Sequence, residues 1–232
     1  MPDALPIADR ISIIIPTLNE AEGIRATLQA LQPLRARGHE VVVVDGGSAD
    51  GTPELARALA DQVIATERGR ARQQNAGAAA ASGGVLLFLH ADTRLPDRAD
   101  EIVLDGLRWT ERGWGRFDVR LSGAHPLLRV VERMIGLRSR ATGIATGDQA
   151  MFIRRDWFTR AGGFPEIPLM EDVAVSRALR RLGPPLCLRD RVVTSSRRWE
   201  QRGVLRTIAL MWRLRLEYAL GADPARLAER YR

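Results

Sequence analysis

The chain has 232 residues, 45% of them hydrophobic and 27% charged, which is enough to bury a sizeable core and unlike disordered or fibrous proteins. Its net charge of +7 comes with 35 arginines and no lysine, and the absence of a basic tail or a zinc-finger spacing argues against nucleic acid as a partner. The single cysteine, Cys187, excludes an internal disulfide framework and fits a reducing compartment.

The sequence predicts a cytoplasmic location without a membrane span. The first six residues include an acid and lack the basic-then-apolar order of a secretion signal. The longest charge-free stretch, residues 73–91, is divided by Ser82, Gly83 and Gly84. A helix end followed by a buried strand explains this stretch better than a transmembrane helix.

The first half of the chain alternates strands with helices. Aliphatic runs at residues 11–15, 41–44 and 85–89 predict buried strands, and residues 21–31, 52–60 and 73–81 predict helices. Thr52 followed by Pro53 predicts a helix with Thr52 as its N-cap. This alternation indicates an α/β fold whose parallel sheet is covered on both faces.

The second half has a different pattern. Alternation over residues 116–121 predicts a strand with one wet face, residues 149–153 a short strand, and residues 126–137 and 171–182 two helices. No repeat or low-complexity linker interrupts the chain. We therefore expect one domain over residues 1–200 and a helical tail over residues 201–232, packed on that domain, a partner or a membrane surface.

Polar residues follow each of the three predicted parallel strands. Residues 16–20 follow the first, Asp45 and residues 46–52 follow the second, and His90 and Asp92 follow the third. Ligands of open parallel α/β sheets bind beyond the carboxyl ends of the strands. The sequence thus predicts a nucleotide and metal site at one rim of the sheet.

Six short motifs, in this order, resemble glycosyltransferase family 2, the inverting enzymes of GT-A fold that use nucleotide-sugar donors. They are Pro-Thr-Leu-Asn-Glu at 16–20, Asp45 with Gly-Ser-Ala-Asp-Gly-Thr at 47–52, Asn-Ala-Gly at 75–77, His-Ala-Asp at 90–92, Gly-Gly-Phe at 162–164 and Glu-Asp at 171–172. The compact length and the His-Ala-Asp motif are most similar to a small bacterial subgroup named for its association with radical-SAM and selenium-related domains.

The resemblance implies a Rossmann-like GT-A sandwich with a mainly parallel sheet, a nucleotide-sugar donor that is expected to be a UDP-sugar, and a divalent cation, manganese or magnesium. It places the nucleotide on Pro16, Thr17, Asn19, Glu20, Asp45, Arg70, Arg72, Asn75 and Ala91. Asp45 would accept a hydrogen bond from a pyrimidine N–H, and the alternative is that it caps its own turn. Asp50 either contacts the ligand or braces the turn at Gly51 and Thr52.

Other nucleotide-site residues also have simpler explanations. Thr17 and Asn19 are good caps for the helix that follows them. Arg70 and Arg72 can offer planar donors to a base carbonyl or to the diphosphate, or they can be solvated helix charges. The sequence does not choose between these two roles.

Two residues are candidates for the metal site. Asp92 occupies the place of the last acid in the family's Asp-x-Asp motif, which is a metal ligand, and a cation held there stabilises the leaving diphosphate. His90 stands where the first acid would be. It is predicted as a second ligand, and the alternative is a histidine buried under the loop.

The resemblance assigns the catalytic base to the acid pair Glu171 and Asp172, with Asp172 at the usual position and Glu171 as the next candidate. Both acids would also favour the start of their helix through its dipole. Gly163 and Phe164 are predicted to shape the acceptor floor, although Phe164 could equally belong to the core.

Further along, residues 195–199 resemble the Gln-x-x-Arg-Trp motif of processive family members, with Ser195 in place of glutamine. Arg198 and Trp199 are therefore predicted to close over the diphosphate or the acceptor. No processivity is inferred, because the sequence lacks the transmembrane helices that would thread a polymer.

The tail combines arginine with large apolar residues. Residues 189–215 hold 8 arginines and 2 acids, and Arg202, Arg206 and Arg213 fall on one narrow stripe of a predicted helix over residues 203–220. Such a helix binds an anionic membrane surface, or docks on the catalytic domain or on a second copy in a homodimer. Membrane binding would make the protein peripheral on the inner face of the cell membrane, with a lipid-linked acceptor.

Three other function classes compete. A sugar nucleotidyltransferase would need a glycine-rich, basic loop after the first strand, where residues 16–20 stand, and a dinucleotide-dependent oxidoreductase would need G-x-G-x-x-G there. A non-catalytic membrane- or nucleic-acid-binding module would leave Asp92 and the pair Glu171 and Asp172 unexplained. The sequence therefore predicts an inverting, metal-dependent glycosyltransferase that acts on an acceptor hydroxyl.

Overall fold

The computed structural model describes residues 5–231. Its strands are β1 (Ile11–Thr17), β2 (Glu40–Asp45), β3 (Gln62–Ala65), β4 (Val85–Phe88), β5 (Thr93–Arg94), β6 (Trp114–Leu121), β7 (Phe152–Arg154) and β8 (Leu186–Thr194). Its helices are α1 (Ala21–Ala30), α2 (Gln32–Ala36), α3 (Thr52–Arg57), α4 (Arg70–Ala80), α5 (Ala99–Thr110), α6 (Pro126–Thr142), α7 (Arg155–Ala161), α8 (Glu171–Leu182), α9 (Arg197–Arg202), α10 (Val204–Ala219) and α11 (Pro224–Tyr231).

The strands form one eight-stranded sheet in the order β3-β2-β1-β4-β7-β6-β8-β5. The neighbours β3, β2, β1 and β4 are parallel, and so are β6 and β8, whereas β7 runs antiparallel to both β4 and β6 and β5 runs antiparallel to β8. The predicted α/β fold with a mainly parallel sheet is confirmed. Because Thr17 pairs with Asp45, the first two strands end side by side.

Alternate residues of the central strands belong to two separate apolar layers. Ile13 and Ile15 of β1 pack with helices α1 and α5 on one face, whereas Ile14 packs with α4, α7 and α8 on the other. This explains why residues 13–15 of β1 and 41–44 of β2 are apolar without alternation. Helix α4 lies so close to the sheet that a Cβ on Gly77 would come within 2.4 Å of Ile14 Cγ2.

Two local predictions are wrong. The strand β6 does not have a fully wet second face, because the last turns of α6 cover Arg116, whose guanidinium pairs with Asp118 and donates to Ser139 Oγ at 2.9 Å. Thr52 is not an N-cap either. It is the first helical residue of α3, and its hydroxyl donates to Asp50 Oδ1 at 2.6 Å.

The tail consists of several helices. Gly203, at φ +82°, ends α9 and precedes α10, so Arg202 does not continue the α10 stripe as predicted. Leu214 of α10 and Leu227 of α11 pack with Met170 and Val173 beside the start of α8. None of the helices within residues 5–231 is both long enough and apolar enough to cross a membrane.

Candidate active site

A cavity of about 890 Å³ lies at the carboxyl edge of the parallel strands. Its wall includes residues 16–18 at the end of β1, the start of α4, residues 90–92 after β4, and the first residues of α8. One face of α6 and the tail helices α9, α10 and α11 complete the wall. The tail is therefore part of the site.

The loops that follow β1 and β2 are locked together by hydrogen bonds. The Asn19 backbone N–H donates to Ser48 Oγ at 2.8 Å, and the Asn19 side chain accepts from the Ala49 N–H at 3.0 Å. The Glu20 N–H donates to Thr52 Oγ1 at 2.9 Å. The structure thus uses the Asn19 side chain to brace a loop, while Glu20, Pro16 and Thr17 line the cavity.

Asp45 lies buried behind the cavity wall. Its Oδ2 accepts the N–H groups of Gly47 and Ser48 at 2.9 and 2.8 Å, and its Oδ1 accepts the Ser48 hydroxyl at 2.5 Å and the Thr17 hydroxyl at 3.2 Å. These contacts are those of the turn-capping alternative. Asp45 is connected to the cavity through Thr17, which lines it.

The two arginines of α4 occupy different environments. Arg70 lines the cavity, and its guanidinium lies 3.7 Å from Glu171 Oε1. Arg72 is outside the cavity wall, where it pairs with Glu67 and Glu166. Of the two arginines, Arg70 is therefore the one that lines the cavity.

Asn75 and Phe164 form one structural contact. The Asn75 side chain donates to the Phe164 carbonyl at 2.8 Å and accepts from the Phe164 N–H at 2.9 Å. The Phe164 ring is buried edge-on against Phe88, with centroids 4.8 Å apart. A Cβ on Gly163 would lie 2.9 Å from Asn75 Oδ1, so the glycine permits this close contact.

After β4, His90, Ala91 and Asp92 line the cavity. His90 Nε2 is inaccessible and has no hydrogen-bond partner among the described residues. Burial, followed by the charges of Arg70 and Arg198, lowers the pKa of His90 to about 3, so its ring is neutral. Asp92 is exposed, and within the described residues its carboxylate accepts only the Thr93 hydroxyl, at 3.4 Å.

Glu20 lies on the same side of the cavity as Asp92. Burial raises the pKa of the Glu20 carboxyl, and the negative charge of Asp92 raises it further, while Arg197 opposes the shift. The two carboxylates therefore repel each other across this part of the wall.

The acid pair begins helix α8. Asp172 Oδ2 accepts the Gly147 N–H at 3.0 Å, which ties the helix to the turn at Gly147–Gln149. Glu171 is 4% exposed. Burial, and then the charge of Asp172, raises the pKa of Glu171 to about 7, although the positive charge of Arg70 opposes the shift.

Helix α9 contributes Arg198 and Trp199 to the cavity wall. The Arg198 guanidinium stacks on the Tyr231 ring at 4.2 Å. Burial and the neighbouring Arg202 and Arg70 lower the pKa of Arg198, and Asp92 opposes this. Arg70, Arg198, Asp92 and His90 thus form one electrostatic neighbourhood, to which we refer as the donor side.

Comparison with known proteins identifies the family. Residues 12–158, more than half of the chain, match the family described as Glycosyl transferase family 2. The chain belongs to glycosyl transferase family 2. The family that the sequence motifs predicted is thus confirmed. The resemblance to the radical-SAM-associated subgroup stays a prediction.

A family 2 relative in Yersinia pestis is named undecaprenyl-phosphate 4-deoxy-4-formamido-L-arabinose transferase. It is 31% identical over 159 residues, which are 62% of this chain and 48% of the relative. Matches to other curated relatives cover 16% to 37% of the relatives' own lengths. The chain thus aligns with less than half of the length of each of these proteins.

Two solved structures share the fold. Residues 1–349 of S. aureus TarS, in complex with UDP, superpose with a TM-score of 0.66 at 20% identity, over 80% of this chain and 60% of that TarS fragment. The mannosyltransferase PcManGT from Pyrobaculum calidifontis, in complex with GDP-Man and Mn²⁺, gives a TM-score of 0.63 at 25% identity, over 92% of this chain and 63% of PcManGT.

A divalent cation is the cofactor that this fold family implies. Among residues 5–231, no group of three or more His, Cys, Asp or Glu could hold a metal ion by itself. Asp92 nevertheless presents a carboxylate with one weak hydrogen bond, beside the mutually repelling Glu20. Oxygen ligands of this kind suit magnesium or manganese, which is commonly held by one or two carboxylates together with substrate phosphates. The residues fit a cation that binds with the donor.

The cavity residues that the sequence analysis missed include two buried or half-buried arginines, namely Arg138 of α6 and Arg215 of α10. In a chain with 35 arginines neither has a motif. A usable signal is helical spacing, because Arg138 lies seven and three residues after Val131 and Ile135, on an otherwise apolar face. An arginine at such a position has to be explained by a site or an ion pair.

Proposed function

We propose that this family 2 glycosyltransferase transfers a sugar, with inversion, from a nucleotide-sugar to an acceptor hydroxyl, in a cation-dependent reaction. The observation that carries the proposal is the arrangement of the cavity. A donor side with Asp92, Arg70 and Arg198 shares one cavity with the acid pair Glu171 and Asp172. The first group suits a diphosphate, and the second suits proton removal from an acceptor.

The nucleotide would lie against the braced loop after β1. Pro16, Thr17 and Ala91 supply the surface, and Asp45, behind Thr17, holds the turn that supports it. TarS has been solved with UDP and PcManGT with GDP-Man. We propose a UDP-sugar as the first donor to test and a GDP-sugar as the second.

The cation would be held by Asp92. His90 is adjacent, but its ring is not hydrogen-bonded to Asp92 in this conformation. Bound there, it would neutralise charge that develops on the leaving diphosphate. Arg70 and Arg198 would act in the same direction, because both guanidiniums face this part of the cavity.

In the reaction, the acceptor hydroxyl oxygen forms a bond to the anomeric carbon while the bond between that carbon and the diphosphate oxygen breaks. The electron pair of the broken bond leaves with the nucleoside diphosphate, and the hydroxyl proton passes to Asp172. Attack opposite the leaving group inverts the configuration. The Gly147 N–H holds the Asp172 carboxylate at 3.0 Å and so orients it toward the cavity.

Calorimetric titration with UDP and GDP, with and without Mn²⁺, followed by a screen of donor hydrolysis across UDP- and GDP-sugars, tests the proposal. We expect nucleotide affinity that increases with Mn²⁺ and turnover of one donor class. Absence of nucleotide binding under both conditions would contradict it. Steeply salt-dependent oligonucleotide binding instead would favour a basic binding module.

We also propose that the protein acts at an anionic membrane surface. Exposed apolar residues form a stripe along α10, namely Leu205, Trp212, Leu216 and Leu220. A second stripe along α6 consists of Val130, Met134 and Leu137. Met134 and Trp212 also line the cavity, so the apolar surface is continuous with the site.

The charges beside these stripes favour a membrane over a second copy of the chain. Arg206 and Arg133 are exposed next to the α10 and α6 stripes, respectively. Across a two-fold axis these cations would approach their own copies, whereas an anionic lipid surface complements them. A lipid-linked acceptor would fit this position, in line with the undecaprenyl-phosphate named for the Yersinia pestis relative.

A further inference from the structure

Arg138 and Arg215, which line the cavity, have no carboxylate in hydrogen-bond contact within the described part of the chain. Arg138 Nε is buried without a hydrogen-bond partner, and its guanidinium makes one long hydrogen bond, to Thr146 Oγ1 at 3.5 Å. Arg215 makes no hydrogen bond or ion pair within residues 5–231, although it is half-buried. Burial, and then the positive charge of Arg215, lowers the pKa of Arg138 to about 10, so Arg138 stays charged at neutral pH.

This pair belongs to a different electrostatic neighbourhood from the donor side. The acids that act on Arg138 are Asp148 and Asp172, whereas the acid that acts on Arg198 is Asp92. Asp172 is the proposed base. An anion between Arg138 and Arg215 would therefore lie on the acceptor side of the cavity, away from the diphosphate.

The helices that carry the two arginines present apolar faces to the same cavity. Arg138 shares the cavity-lining face of α6 with Val131, Met134 and Ile135. Arg215 shares that of α10 with Ile208, Met211, Trp212 and Leu214. These faces lead out to Met134 and Trp212, which are 42% and 59% exposed.

We infer that Arg138 and Arg215 form an anion subsite that binds the phosphate of an amphiphilic acceptor, with its hydrocarbon chain running between α6 and α10 to the protein surface. The inference rests on the proposed transfer function and names the acceptor's chemical class, a lipid-linked phosphate that also carries the accepting hydroxyl, so the phosphate anchors the acceptor while the hydroxyl reacts. Two unpaired guanidiniums inside a partly apolar cavity are costly, and a bound phosphate with bidentate contacts removes that cost. The apolar faces select a phosphate that carries a chain over free phosphate.

The test is calorimetric binding of three probes to the full chain: octyl phosphate, octanol and inorganic phosphate. We expect octyl phosphate to bind the wild type at least about tenfold more tightly than either of the others. Arg138→Gln and Arg215→Gln should each weaken octyl phosphate binding by about tenfold or more, as expected for hydrogen bonds to a charged group. Arg140→Gln on α6 and Arg226→Gln on α11, both exposed and outside the cavity wall, serve as controls and should stay within about twofold.

Equal affinity of the Gln variants and the wild type for octyl phosphate would overturn the inference. If octanol binds as tightly as octyl phosphate, the site is an apolar groove without an anion subsite. If inorganic phosphate binds as tightly, the hydrocarbon chain contributes nothing to binding. Either result contradicts the inference. UDP titration with Mn²⁺ on the same samples separates the two proposals. Retained UDP affinity in the variants shows an intact donor side, whereas failure of UDP to bind the wild type counts against the proposed function alone. If Arg138→Gln does not fold, Arg215→Gln decides the outcome.

Discussion

The carboxylate of Glu171 lies 3.7 Å from the guanidinium of Arg70, so the first residue of α8 faces the first residue of α4 across the cavity. The contact joins the acid pair to the donor side. Even so, burial and the adjacent Asp172 raise the pKa of Glu171 to about 7. Glu171 therefore exchanges its proton near neutral pH, whereas Asp172 is fixed by the Gly147 N–H.

Substitution of Asp172 by asparagine should separate chemistry from binding. We expect Asp172→Asn to keep nucleotide affinity and to lose about 10²- to 10⁴-fold in turnover, the usual contribution of a general base. Asp156→Asn is the matched control, because Asp156 also lies in the first turn of a helix but outside the cavity wall. If Asp172 merely stabilised its helix, both variants would lose similar stability and keep turnover. Loss of turnover in Glu171→Gln but not in Asp172→Asn would reassign the base to Glu171.

The raised pKa of Glu171 also predicts how stability depends on pH. The carboxyl titrates near 4.5 in the unfolded chain and at about 7 in the folded protein, so the folded state holds the proton more tightly. Between these pH values the unfolded chain ionises first, and stability should fall as pH rises by up to about 3 kcal/mol. Glu171→Gln lacks this contribution. Its free energy of unfolding relative to wild type should increase from pH 4.5 to pH 8, measured by urea denaturation. A difference between the two proteins that stays constant over this range would contradict the shift.

Much of the fold could be predicted because the signal was local. The aliphatic runs of β1, β2 and β4 cannot be exposed on either face, so a sheet covered on both sides was the only economical solution. β6 was harder. Its alternation of Arg116 with Phe117 looks like a half-exposed strand, and only the packing of α6 shows that Arg116 is buried with Asp118.

The site residues at strand ends and helix starts could be predicted from the sequence, whereas those on α6 and α10 could not. Asp92, Glu171 and Arg70 line the cavity because parallel strands and the helix starts near them meet at one rim. Arg138 and Arg215 reach the same cavity from helices 77 residues apart in sequence, a juxtaposition that only tertiary packing creates. Gly203 is a similar case, because the break between α9 and α10 depends on one backbone conformation.

Removal of the Asp92 carboxylate should make nucleotide binding independent of Mn²⁺. We expect Asp92→Ala to abolish the increase in UDP affinity that Mn²⁺ produces, because a cation shared with the diphosphate would lose its protein ligand. Asp97→Ala, an exposed aspartate outside the cavity wall, should leave that increase unchanged. Calorimetry with and without Mn²⁺ measures both. A Mn²⁺ effect that persists in Asp92→Ala would place the cation elsewhere.

The membrane proposal predicts a position-specific effect of charge. Trp212→Glu and Leu216→Glu should reduce flotation with anionic liposomes severalfold, because each places a carboxylate in the apolar stripe that would enter the interface. Trp109→Glu is the control, since Trp109 is 82% exposed but lies on α5, outside the cavity wall. Equal flotation of all three variants would contradict the assignment of membrane binding to α10. If size-exclusion chromatography shows that Trp212→Glu splits a wild-type dimer, the stripe is a subunit interface.

Gly147 tests how the turn positions both His90 and Asp172. A Cβ at this position would lie 2.6 Å from His90 Nε2, and its N–H is the one that holds Asp172. We expect Gly147→Ala to destabilise the protein by about 1–3 kcal/mol through overpacking and to lower turnover as Asp172 moves. Gly23→Ala is the control, because its Cβ would meet nothing within 4 Å inside helix α1, and we expect it to be neutral or stabilising by up to about 1 kcal/mol.

The double variant Gly147→Ala with His90→Ala identifies the cause. If the added methyl group collides with the imidazole, removal of the ring relieves the collision, so His90→Ala should cost less stability in the Gly147→Ala background than in the wild type. Urea denaturation of the four proteins in this cycle gives the coupling energy, and initial rates show whether turnover recovers with it. Simple additivity of the two substitutions would mean that His90 and Gly147 are not in contact in solution. The neutral, unpartnered Nε2 would then have to be placed elsewhere in the cavity.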